Sequence, residues 1–350
     1  MDTGLSARFA VHIGAMVRIL LALSSALAGA PSIGTTASPA VQLSFLNAPS
    51  GDEPLTDVPR LAVGVVGGPL RSAVVDTGST GVLLSASAIP DLDRLPMLGP
   101  GVLTYSSSGR IMRGRWVMAA LVVQGRSGGI VTRSMPILAV DDIACTPTAR
   151  RCTPKAHPAH VAMFGIGFGR RHDGQPEATP DRNPLLTIAE PAGLPHGYTI
   201  TRRGIRLGDD DKGFVLVKLG RSADGEDWVA PPACIAVDER PPLCGTVLVD
   251  TGITGMFLTL PPDRLRGGDG RTLPTGSHIR IDLTPTGGGP AMRFTVRAKD
   301  RNDPAAPSTI TLSGIGRRPP FVNTGVHFLN RYDYRYDADA GTVGYRLVQH

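Results

Sequence analysis

Val74-Val75-Asp76-Thr77-Gly78-Ser79-Thr80-Gly81-Val82-Leu83-Leu84 aligns without gaps on Leu248-Val249-Asp250-Thr251-Gly252-Ile253-Thr254-Gly255-Met256-Phe257-Leu258. Seven of the eleven positions are identical, and three of the other four are apolar in both copies. The match is therefore a repeat and not the chance recurrence of a tripeptide. The copies lie about half the chain apart, which implies two related lobes. Each copy reads as strand, turn, strand: an apolar run enters Asp-Thr-Gly, turns where Gly frees the backbone, and leaves as a second apolar run. A carboxylate set between two buried runs is unfavourable unless it is paired and hydrogen-bonded. Finding that arrangement twice implies that Asp76 and Asp250 serve each other. A third Asp-Thr-Gly, Asp2-Thr3-Gly4, has no strand before it, so the flanking runs carry the reading.

The rest of the chain agrees with a β-rich protein. Its 350 residues suffice for two domains or one large β-rich one, and 41% hydrophobic against 19% charged residues describes a folded chain. Gly (43) and Pro (31) separate short runs rich in Val, Leu and Ile, which predicts many short strands joined by turns. The formal charge of +6 is a mild basic excess without a basic stripe or interleaved aromatics, and nucleic acid is not expected as a partner.

Residues 1–30 read as a signal peptide. Arg8 and Arg18 precede the apolar run Ile19 to Ala28, and Ala28-Gly29-Ala30 has the small-x-small form of a cleavage site. Pro31 is unfavourable just after it, so the cut falls as late as residue 40. Met16 serves equally well as a start. The run is too short to span a bilayer comfortably, no second run is long enough, and an exported protein, secreted or periplasmic, is expected. Residues 31 to about 55 read either as a propeptide or as the start of the folded chain.

The four cysteines, Cys145, Cys152, Cys234 and Cys244, are even in number, and export makes disulfides the default. Of three pairings the short spacings favour Cys145–Cys152 and Cys234–Cys244. Zinc held by Cys145, Cys152, His157 and His160 is the rival, but the pair is not CxxC and the segment is irregular. No metal and no cofactor are expected.

With its two Asp-Thr-Gly strands the sequence resembles the pepsin-like aspartic proteases, related to the retropepsins, as a divergent member. The likeness extends over most of residues 41–350. Leu103-Thr104-Tyr105-Ser106-Ser107-Ser108-Gly109 is similar to the family's flap, with an apolar return from Trp116 to Val123. Met163-Phe164-Gly165-Ile166-Gly167-Phe168-Gly169 resembles the apolar-apolar-Gly segment beneath the first active-site loop. Cys244 matches a small disulfide loop before the second motif. Phe328 to Asp337 and Gly344-Tyr345-Arg346 are similar to the closing strands. The resemblance implies an all-β, bilobal fold with the cleft between an N-terminal lobe, 41–200, and a C-terminal lobe, 201–350, the crossover lying near Gly197 to Gly208. It implies a monomer, because both motifs are in one chain.

It also implies an endopeptidase acting on polypeptide. Two like charges about 3 Å apart do not both ionise, so the pair shares a proton. One carboxylate takes a proton from water and the other acid donates to the scissile carbonyl; the pair titrates as a unit, so neither role is assigned to one Asp. Thr77 and Thr251 would tie the loops together, Gly78 and Gly252 would bring N–H groups to the carboxylates, and Tyr105 would cover the cleft.

Two positions depart from the family. Ser79 matches the hydroxyl that bonds the outer carboxylate oxygen, but Ile253 has none. Asn323-Thr324-Gly325 is polar where the second apolar-apolar-Gly is expected. The missing hydroxyl implies one hydrogen bond fewer on the acid pair and a raised pKa. Activity is then expected to extend to less acidic pH than in Ile253→Thr.

Two other functions compete. Gly125-Arg126-Ser127-Gly128-Gly129 matches the serine-hydrolase G-x-S-x-G, but a nucleophile elbow needs a helix after it and Ile130 to Leu138 reads as a strand. A hairpin turn is the better account. The second is a pepsin-like binding protein that does not cleave, since fold does not fix function. Gly165 to Gly169 lacks the spacing of a dinucleotide loop.

Overall fold

The computed structural model describes residues 40–349 apart from 150–151, 172, 174, 209–210, 262–271, 286–289 and 315–318. The signal peptide read over residues 1–30 lies outside the described residues. The described residues belong to one compact unit, Ser38–His350. The chain is all-β, 46% strand and 6% helical, which is the β-rich class expected. No helix among the described residues is long and apolar enough to cross a membrane.

Among the described residues the strands form three sheets. An eleven-stranded sheet is built wholly from strands between Arg60–Val65 and Ile188–Glu190. A seven-stranded sheet is built wholly from strands between Pro232–Val237 and Phe321–Asn323. The two copies of the repeat fall one in each. The third sheet has six strands and gathers distant parts of the chain: Val41–Ser44, Gly204–Leu207, Gly197–Thr201, Tyr332–Asp337, Thr342–Leu347 and Val215–Lys218, in that spatial order. The segment expected as the crossover, Gly197 to Gly208, is a hairpin of this sheet, with Ile200 opposite Ile205.

Period-two patterning explains why these runs are strands. In Arg60–Val65 the side chains of Leu61, Val63 and Val65 go inward, and in Leu121–Gln124 those of Leu121 and Val123. Thr80–Ser85 is buried at every position. It lies mid-sheet between Ala162–Ile166 and Met135–Cys145, and its successive side chains pack on opposite faces. The six-stranded sheet carries an aromatic core, in which Phe168 stacks on Tyr336 at 4.2 Å and Tyr198 meets Tyr336 edge-on. Each such side chain stabilises the fold by about 1.5–3 kcal/mol on burial.

The first described strand belongs to this core. Leu43 and Phe45 are fully buried, and Val41–Ser44 pairs antiparallel with Gly204–Leu207. Leu55 is buried too, and its backbone N–H and C=O are both bonded by the Asn330 side chain, at 2.7 and 3.0 Å. Residues 41–55 are thus packed into the fold.

Cys145 pairs with Cys152 and Cys234 with Cys244, the pairing that the spacings favoured. The second bond joins directly opposite residues of the hairpin Pro232–Val237 and Leu243–Leu248. With its sulfurs in a disulfide, the first pair has no thiolate to give zinc. Ser127 sits in the turn between the antiparallel strands Leu121–Gln124 and Gly129–Thr132, as the hairpin reading required. Its hydroxyl bonds that of Ser44 at 2.7 Å.

Candidate active site

Both motifs are set by the same local topology. Arg71–Asp76 delivers Asp76, and Leu243–Leu248 ends two residues before Asp250. In each copy a further strand threads between the two arms of the motif. Ala162–Ile166 runs parallel to Arg71–Asp76 and antiparallel to Thr80–Ser85. Phe321–Asn323 runs parallel to Leu243–Leu248 and antiparallel to Met256–Leu260. The registers place Met163 opposite Val74 and Asn323 opposite Leu248, each partner being two residues before its Asp. Met163 and Asn323 are therefore equivalent positions.

The turns of the two motifs are tied to each other. The Thr77 N–H donates to the Thr251 hydroxyl at 3.1 Å, and the Thr251 N–H donates to the Thr77 hydroxyl at 3.0 Å. Each hydroxyl then donates across to the strand entering the other motif: Thr251 to the Val75 carbonyl at 2.7 Å, and Thr77 to the Val249 carbonyl. Four polar groups that would be orphaned in the core are satisfied reciprocally. Both threonines are buried, Thr251 completely.

This tie presses each glycine against the opposite carboxylate. A Cβ on Gly78 would stand 2.6 Å from Oδ2 of Asp250, and a Cβ on Gly252 would stand 2.5 Å from Oδ1 of Asp76. No real Cβ approaches so closely, so only glycine fits at either position. The acids are 4% and 6% exposed and line one cleft of about 240 Å³. Tyr105, Met112, Met163, Arg170, Ile253 and Asn323 line it with them.

Among the described residues each carboxylate has two donors. Oδ1 of Asp76 accepts the Gly78 N–H at 2.7 Å, and Oδ2 accepts the Ser79 hydroxyl at 2.6 Å. Oδ1 of Asp250 accepts the Gly252 N–H at 2.8 Å. Its Oδ2 accepts from Nδ2 of Asn323 at 2.6 Å. The expectation that Ile253 leaves Asp250 one hydrogen bond short is therefore corrected: the donor comes from the neighbouring strand. The polar Asn323, an anomaly in sequence, is the residue that supplies it.

Burial and the negative charge of Asp76 push the Asp250 carboxyl up to about 7, against the pull of the Asn323 amide, the Gly252 N–H and the Arg170 guanidinium. That is the behaviour of two acids that interact strongly enough to hold one proton between them.

Tyr105 closes the strand Met97–Tyr105, which forms a hairpin with Arg110–Ala119 over the cleft. Its hydroxyl is buried without a hydrogen-bond partner among the described residues. Burial first, and the Asp76 charge second, raise its pKa above the ordinary phenol value, against the pull of the nearby Ser79 side chain, whose hydroxyl does not meet it with hydrogen-bond geometry.

Arg170 and Gln175 carried no sequence signal. The Gly78 carbonyl accepts from Nε of Arg170 at 2.9 Å and from Nε2 of Gln175 at 3.1 Å, while Oε1 of Gln175 accepts the Thr80 N–H at 3.3 Å. The Arg170 guanidinium is also paired with Asp173. Both side chains come from irregular backbone after Ala162–Ile166, where no periodicity marks a residue as inward. No group of three or more His, Cys, Asp or Glu among the described residues has metal-binding geometry.

No protein-family model matches the chain, and no curated protein matches it.

Proposed function

We infer that the chain is an aspartic endopeptidase of the pepsin-like, bilobal class. The observation that carries this reading is the reciprocal Thr77–Thr251 tie, which sets two buried carboxylates against each other at the floor of a cleft. Asp76 and Asp250 hold a water between them. The ionised acid removes a proton from that water, and the oxygen attacks the peptide carbonyl carbon as the protonated acid gives its proton to the carbonyl oxygen. Return of a proton to the amide nitrogen then allows the C–N bond to break. A pKa of about 7 on Asp250 supports the state with one proton in the pair through acid pH.

Tyr105 on its hairpin would cover the bound peptide and exclude water. The eleven- and seven-stranded sheets would form the cores of the two lobes, joined by the six-stranded sheet. Both acids come from one chain, and the protein works as a monomer. Two disulfides fit an oxidising compartment and with it an exported protein.

Digestion of a denatured protein at acid pH, with and without pepstatin, tests the reading on wild type and Asp76→Asn. Cleavage that pepstatin stops and Asp76→Asn lacks is expected. Equal cleavage by both proteins, or none by either, overturns it.

A further inference from the structure

The second copy of the motif moves its hydrogen-bonding capacity to a different strand. In the first copy Ser79 is polar and Met163 apolar; in the second Ile253 is apolar and Asn323 polar. Met163 and Asn323 occupy the same register position, as Ser79 and Ile253 do in the repeat. We propose that Asn323 is the positioning residue of Asp250, its amide holding the outer oxygen in place of the hydroxyl that Ile253 lacks. The proposal rests on the reading of the chain as an aspartic peptidase.

Three observations support it. The Asn323 side chain is buried and its Nδ2 lies 2.6 Å from Oδ2 of Asp250. Its Oδ1 accepts the Gly325 N–H at 3.1 Å, which fixes the amide with nitrogen toward the acid. The outcome is symmetry of function without symmetry of sequence: each Asp has a backbone N–H on Oδ1 and a side-chain donor on Oδ2.

The exchange is not chemically neutral. A hydroxyl can turn from donor to acceptor, so Ser79 can serve Asp76 in either protonation state. An amide nitrogen only donates, so Asn323 favours the ionised form of Oδ2. The charged and titratable groups around Asp250 are Asp76 opposite, Arg170 with its partner Asp173, and Tyr105 and Arg110 from the hairpin. Asp76 opposes ionisation; Arg170 assists it with a charge shared with Asp173.

The test uses the full chain with Asn323→Leu, closest in shape, and Asn323→Met, the residue of the first copy. Carbon NMR of carboxyl-labelled aspartate reads the titration of the pair, and the basic limb of kcat/KM against pH reads it in turnover. Both variants are expected to titrate about one pH unit higher than wild type. Ile253→Ser added to Asn323→Met rebuilds the Ser79–Met163 pairing and is expected to bring both readings back. Folded single variants that titrate as wild type overturn the proposal, and so does a double variant that stays with the single ones. A wild-type chain that cleaves nothing sinks the peptidase reading alone, because the NMR titration reports on Asn323 without turnover.

Discussion

The Thr77 hydroxyl accepts the backbone N–H of Thr251, and the Thr251 hydroxyl accepts that of Thr77, at 3.0 and 3.1 Å. Each threonine is thus at once donor and acceptor for the loop opposite. Thr77→Val or Thr251→Val keeps the shape and removes the oxygen. It leaves a buried N–H and a buried carbonyl unpaired, at about 1–3 kcal/mol each. Urea unfolding of either variant is expected to show a loss of about 2–6 kcal/mol, with peptidase activity gone. The double variant is expected to lose less than the sum, since both changes break one network.

Gly252→Ala places a methyl group 2.5 Å from Oδ1 of Asp76, and Gly78→Ala places one 2.6 Å from Oδ2 of Asp250. The loops must part to admit either. A drop of at least a hundredfold in kcat/KM is expected for each, about 3 kcal/mol of transition-state stabilisation. Steady-state kinetics on a fluorogenic peptide checks it, and activity within a few fold of wild type would refute the close approach.

Stability should depend on pH through Asp250. Its folded pKa of about 7 lies above the value of about 4 for an unfolded aspartate. Between these values the folded chain binds the more protons. The contribution is therefore full below about pH 4, falls as pH rises, and is gone above about pH 7. His327 works the other way: burial lowers its pKa, so the unfolded chain takes the proton first and stability is lost as pH falls below about 6.5. Chemical unfolding at a series of pH values, wild type against Asp250→Asn, separates the two. The Asp250→Asn curve is expected to lose its decline between pH 4 and 7 and to keep the His327 decline on the acid side.

Truncation should distinguish a leader from a strand. A chain beginning at residue 40 retains Leu43, Phe45 and Leu55, whereas one beginning at residue 56 loses all three buried side chains and the two bonds to Asn330. The lost burial alone is about 5–9 kcal/mol, comparable with the stability of a whole domain. Circular dichroism of the two purified chains is expected to show a β-sheet spectrum for the first and none for the second.

What the sequence disclosed, and what it hid, follows from the range of the interactions. The Asp-Thr-Gly turns and the Cys234–Cys244 bond are local, and their residue types and spacings carry them, whereas the Tyr105 hairpin was expected from the family resemblance. The Thr77–Thr251 tie was expected from the family resemblance, which rests on a repeat identical at seven of eleven positions. The bond from Asn323 to Asp250 crosses 73 residues and depends on the register of a parallel strand pair, which no local pattern encodes. Ile253 alone therefore read as a deficit and Asn323 alone as a flaw, although together they complete the site. Arg170 and Gln175 reach Gly78 from irregular backbone, where burial of a polar side chain has no periodic signature.

The six-stranded sheet has a bearing on how the molecule is made. Tyr332–Asp337 inserts between Gly197–Thr201 and Thr342–Leu347, and the same sheet ends on Val41–Ser44. During synthesis Gly197–Thr201 emerges long before Tyr332–Asp337, its neighbour on one side. This layer can knit only once Thr342–Leu347 has left the ribosome, and a nascent chain carries Asp76 without Asp250 until the chain has grown past residue 250.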